Sequence, residues 1–188
     1  LRAFLQQQSK PFVLDVGEGL GVYLSDPEPY LPIKEEGRGR APTRYKSDQR
    51  PVLLTNLINT ITDDQWQTLT YRKGTKGPLK RQAVLLDAWV WDVDHEDKPE
   101  ALALLISREL DGSEIKFSLC FHSQKPITLP NALFRQMQRY WVERAFQDVK
   151  EQLGLHQYQV RSWVAWYHHV ALTMMALHYI DNLSIIIR

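Results

Sequence analysis

The 188 residues are enough for one domain of ordinary size with a real core, or for one domain plus an insertion. An apolar share of 44% and a charged share of 24% are those of a globular chain, and they argue against a disordered or fibrous one. The net charge of +1 names no partner by itself, and no apolar run is long enough to span a bilayer.

Leu1–Gln8 reads as a helix entered without a cap, so we expect the sequence to be a piece of something longer. It lacks the basic n-region and long apolar stretch of a signal peptide. Lys10–Val16 reads as a buried strand and Gly21–Ser25 as a second, short one. Asp26–Pro51 is loop, punctuated by prolines and by Gly37 and Gly39. Pro51–Ile61 predicts a short helix. The period then changes. Gln65–Arg72, Leu79–Val93, Ala101–Leu110 and Glu114–His122 alternate or are rich in β-branched and aromatic residues, with turn residues between them. Antiparallel pairing is the default for such a meander. Beyond Lys125 the pattern turns helical. Pro130 suits a first turn, and Leu133, Phe134, Met137, Trp141, Ala145, Val149 and Leu153 recur every three or four residues. Gly154 is a natural stop. One helix of roughly 35 Å is expected there, and a second over about Val164–Tyr179. The single Cys120 has no partner in the chain, which fits a reducing cytosol.

Arg139, Glu143 and Lys150 stand four and seven residues apart, so a helix puts all three on one face, with Gln136 and Gln147 continuing the stripe. Two readings stay open. One is a solvated face whose i,i+4 pair is worth a few tenths of a kcal/mol. The other makes Glu143 an oxygen ligand for Mg²⁺ or Mn²⁺, with Arg139 and Lys150 on phosphates. Metal-assisted phosphodiester chemistry needs several carboxylates, and one helix supplies one.

Two basic segments can grip a DNA backbone. Lys34–Arg50 includes Arg38 and Arg40 in a loop that also holds acids. Arg72–Arg81 carries Arg72, Lys73, Lys76, Lys80 and Arg81 and no acid. Tyr158, Arg161, Trp163, Trp166, Tyr167, His168 and His169 form an aromatic and cationic cluster, suited to stacking on bases or to packing between helices. The His pair has no third ligand at a zinc-like spacing. Asp15 lies in a D-x-G-x-G run after a strand, a place where α/β enzymes put metal ligands.

The segment from Gln138 to Leu177 resembles the C-terminal part of bacterial insertion-sequence transposases of the DDE class. The likeness is to a branch with a β-rich insertion and an R-x3-E-x6-K motif, here Arg139, Glu143 and Lys150. RGRAPTR and GTKGPLK also resemble stretches of that insertion. Where the family often has Tyr three residues before the Arg, this chain has Gln136. The resemblance implies an α/β fold: the C-terminal part of an RNase H-like domain, residues 1–19 and 125–188, interrupted by an antiparallel β-rich insertion over 20–124. It implies metal-dependent cleavage and joining of DNA, with Glu143 as catalytic metal ligand beside Arg139 and Lys150. DNA contacts are expected from Arg38, Arg40, Arg72, Lys73, Lys76, Lys80, Arg81 and Arg161. A two-metal Mg²⁺ or Mn²⁺ site would be completed by two Asp residues upstream of Leu1. The implied setting is the cytoplasm of a bacterium, on the nucleoid, with double-stranded DNA as partner and a homodimer of the full-length protein. The alternative is a non-catalytic DNA-binding or assembly module.

Overall fold

The computed structural model describes residues 2–34, 42–74, 76–92, 98–122, 126–159 and 161–186. A long antiparallel meander forms because its strands alternate in burial. In strand β5 (Gly77–Val90), Ala83 faces one apolar cluster, while Val84, Ala88 and Val90 face another. The same alternation runs through β6 (Glu100–Arg108) and β7 (Ile115–Phe121), so each strand feeds two cores.

With β1 (Phe12–Val16) and β4 (Gln67–Gly74) these strands make a five-stranded sheet in the order β1-β7-β6-β5-β4. Every neighbouring pair is antiparallel. β4 and β5 close on the pair Gly74 and Gly77, and Gly77 has φ +127°, where a side chain would be strained. The register shifts between Thr70 and Arg72, so Tyr71 is an extra residue on the edge strand.

Helix α1 (Arg2–Gln7) precedes β1, and Arg2 pairs with Glu100 on β6. A two-stranded ribbon of β2 (Gly21–Val22) and β3 (Val52–Leu53) leads into the four-residue helix α2 (Leu54–Leu57). Val22, Leu54, Leu57 and Trp66 cover one face of the sheet against Phe12, Leu104, Ile106, Phe117 and Leu119. Helix α3 (Leu129–Met137) covers the other face through Ala132 and Leu133, against Ala83, Leu105 and Cys120. Leu54, Leu104, Leu105 and Ile106 are fully buried, each contributing roughly 1.5–3 kcal/mol of transfer free energy.

Two local expectations are revised and one is refined. The helix expected over residues 51–61 is a ribbon strand, α2 and a 3₁₀ turn at Ile58–Thr60, because Val52 and Leu53 pair with β2. The loop after Asp26 is tied at its base: Tyr30 and Lys46 exchange backbone hydrogen bonds, and Gln49 Nε2 donates to the Asp26 carbonyl. The single helix expected from Pro130 to Leu153 is interrupted at Gln138, where the Trp141 N–H bonds to the Gln138 carbonyl, a tightened i+3 turn.

The contacts of the chain divide it into residues 1–137 and 138–188. β1, from the first expected domain segment, and β4–β7, from the expected insertion, share one sheet. The second unit holds α4 (Arg139–Gln152), a 3₁₀ turn at Leu155–Gln157 and α5 (Trp163–Ile186). Gly154, at φ +68°, stops α4 where the sequence indicated. Among the described residues no helix is long and apolar enough to cross a membrane.

Candidate nucleic-acid interface

α4 carries the charged stripe. At about 100° per residue, Arg139, Lys150 and Glu143 fall within roughly 40° of arc. Arg139 Nε donates a 2.8 Å hydrogen bond to Glu143 Oε1, and both side chains are about two-thirds exposed, at 67% and 64%. Lys150 is exposed in the last turn. Gln147 turns along the helix instead, donating to Glu151 Oε1 at 2.8 Å. An exposed i,i+4 ion pair is worth about 0.2–0.5 kcal/mol. That is small enough for a bound phosphate or metal ion to take either partner.

The oxygens of Glu143 suit a hard divalent cation, but one carboxylate fills at most two of about six positions around Mg²⁺. Among the described residues no group of three or more His, Cys, Asp or Glu side chains is placed to hold a metal. The described residues therefore do not complete a metal site.

The β4–β5 hairpin presents Lys73, Lys76 and Lys80 to solvent, with Arg72 half-buried. Arg81 departs from the expectation of a DNA-contacting cation. It is 2% exposed, because the alternation of β5 turns it under the sheet toward the β6–β7 turn. There Nη1 donates to Glu109 Oε1 at 2.6 Å and to Glu114 Oε2 at 2.9 Å, while Nη2 donates to the Glu114 carbonyl. The Arg81 hydrogen bond holds the Glu114 carboxyl below its ordinary value, against the opposing effect of desolvation. Arg38 and Arg40 lie outside the described residues. Arg161 is exposed just before α5.

In α5, Trp163 meets Trp166 edge-on at 5.8 Å and Tyr167 at 6.1 Å. Trp163 and Tyr167 remain 73% and 63% exposed, so their faces are open to a partner. Tyr158 and His169 adjoin at 5.3 Å.

Sequence reasoning missed a buried polar relay in the first unit. Ser107 Oγ donates to Gln136 Oε1 at 2.6 Å, Gln136 Nε2 donates to Ser118 Oγ at 2.7 Å, and Ser118 Oγ donates to Asp15 Oδ1 at 2.6 Å. Gln136 is thus a buried clamp from α3 onto β6 and β7. It is not part of an exposed stripe with Glu143. The available signal was a polar side chain at the inward helix spacing from Ala132 and Leu133, opposite serines at inward strand positions. Asp15 lies within β1 opposite Ser118, accepting this bond.

Comparison with protein-family models, with curated proteins and with solved structures gave no match.

Proposed function

We propose that this chain is the C-terminal portion of a DDE-type DNA transposase with an RNase H-like catalytic domain carrying a β-rich insertion. The observation that carries this reading is the exposed Arg139–Glu143 pair with Lys150 on the same stripe of α4. On this reading Glu143 is one of three carboxylates at the catalytic centre, and the other two come from outside the described residues. Glu143 would be one holder of Mg²⁺ or Mn²⁺ at such a centre, and the ion would supply Lewis-acid activation of the phosphodiester. Arg139 restrains the Glu143 carboxylate and, with Lys150, offers positive charge to the phosphates beside it. Lys73, Lys76 and Lys80 hold the duplex by its backbone without reading sequence. Double-stranded DNA is the partner, and the full-length protein works as a homodimer in a bacterial cytoplasm.

The test is cleavage of duplex DNA by the full-length enzyme carrying Glu143→Gln. Loss of metal-dependent nicking with retained DNA binding is expected. The second reading, a non-catalytic DNA-binding module, is favoured by the three exposed hairpin lysines, which suffice for backbone contacts. It expects salt-sensitive duplex binding by this chain and no cleavage by the full-length protein under any metal.

A further inference from the structure

On the sheet face that carries α3, the described residues of the first unit line a cavity of about 410 Å³. Its origin is readable in the register. Asp87 and Trp89 on β5 stand opposite Ala103 and Ala101 on β6, and Ala103 stands opposite Cys120 on β7. Two alanines in the middle strand leave a trough between the side chains of β5 and those of β7. Those strands are about 9–10 Å apart, two spacings of roughly 4.8 Å. Trp89 and Leu85 line the β5 side, and Pro126 and Ile127 add to the lining. The wall is firmly held, since Trp89 and Tyr23 exchange both backbone hydrogen bonds, at 2.8 and 2.9 Å. The floor is apolar: burial pushes the Cys120 thiol up to about 12, so it stays an uncharged S–H.

Among the described residues the rim has one formal charge, the exposed Asp87 carboxylate, and no described cation pairs with it. His122 adds a ring that can donate or accept. The volume is that of a small-molecule site, and an apolar hollow with a few polar groups at its mouth is the usual form of one. An anion would meet Asp87 unfavourably. A cation gains the carboxylate and the face of Trp89 together.

We propose that this cavity binds a small organic monocation, an ammonium or guanidinium on a compact apolar body. The cation sits at Asp87 and Trp89, and the body lies over Ala101 and Ala103. This site is independent of the proposed DNA chemistry on α4.

The test is calorimetric titration of the full chain at pH 7.5 with phenethylamine, its neutral isostere 2-phenylethanol bearing the same ring, and N-acetyl-arginine methylamide. A cation is expected to bind at least five-fold more tightly than the alcohol. Tighter binding of phenethylamine assigns the site to a free amine, and tighter binding of the arginine derivative to a side chain of a partner protein. Asp87→Asn should bring the cation down to the level of the alcohol, and Ala103→Leu, which fills the trough, should abolish all binding. Ala101→Leu serves the same purpose should Ala103→Leu not fold. Equal binding of cation and alcohol, an unchanged affinity in Asp87→Asn, binding that survives a filled trough, or no binding of either cation would each overturn the proposal.

Discussion

The Ser118 hydroxyl donates a 2.6 Å hydrogen bond to Oδ1 of Asp15, joining residues 103 apart in sequence. Through Ser118 and Gln136 that bond belongs to a chain ending at Ser107, and it ties β1, β7, β6 and α3 together. Gln136 is 4% exposed and both serines are fully buried, so each polar atom depends on the others rather than on water.

Gln136→Leu keeps the approximate volume, strands the Ser107 hydroxyl and takes away the donor to Ser118 Oγ, which keeps its own bond to Asp15. Two buried groups that lose a partner cost about 1–3 kcal/mol each, less whatever re-pairing they achieve. We expect urea unfolding to show a loss of about 2–4 kcal/mol. Adding Ser107→Ala and Ser118→Ala to Gln136→Leu should recover part of it, because no unsatisfied hydroxyl remains.

Arg81 and Glu114 predict a pH dependence. The Glu114 carboxyl is lowered in the folded protein from an ordinary value of 4.5, first of all by the Arg81 hydrogen bond. A group depressed on folding stabilises above its unfolded value, and that stabilisation is lost as pH falls through the folded one. Stability should therefore decline below about pH 4.5. Arg81→Met removes the cause of the shift, so its curve should be shallower below about pH 4.5. At neutral pH it should lie about 1–3 kcal/mol lower, since Glu109 and Glu114 are partly exposed and can regain water. Denaturant midpoints measured between pH 3 and 7 give both quantities.

Cys120 is 1% exposed with its thiol pushed up to about 12, chiefly by burial. Only the thiolate attacks disulfide reagents. At pH 8 the native chain should react with such a reagent at least about 100-fold more slowly than the chain in concentrated urea. A native rate close to the unfolded one would contradict the buried placement on β7.

The hairpin lysines predict a salt dependence. Each phosphate contact contributes about 0.9 to the slope of log K against log salt. Replacing Arg72, Lys73, Lys76 and Lys80 by Ala should lower the slope for duplex DNA by about 2–4 and weaken binding equally across sequences. Fluorescence anisotropy from 50 to 300 mM salt measures it. An unchanged slope would move the DNA contacts elsewhere.

Local chemistry makes much of the fold legible. The strand periods of β4–β7 and the glycine stop at Gly154 depend on neighbours in sequence, and both appear where expected. Pairing at a distance is not legible. Nothing near Val52 announces that it will pair with Val22, so the local pattern predicts a helix there. Arg81 reads as one more exposed cation because its two acids lie 28 and 33 residues later. Gln136 has the spacing of the stripe with Glu143, yet the tightened turn at Gln138 separates α3 from α4. The Arg139–Glu143 pair is legible because i and i+4 are adjacent on any helix, and the pairing by itself does not distinguish a catalytic carboxylate from a solvated one.

Glu143→Gln distinguishes them. The change is isosteric, and the pair it alters is worth only about 0.2–0.5 kcal/mol, so folding and DNA affinity should be essentially unaffected. In the full-length protein with Mg²⁺ or Mn²⁺, we predict that strand cleavage of duplex DNA falls at least about 1,000-fold, an expected loss of some 4 kcal/mol of transition-state stabilisation. Cleavage retained at or near the unsubstituted rate would contradict the assignment of Glu143 to the catalytic centre.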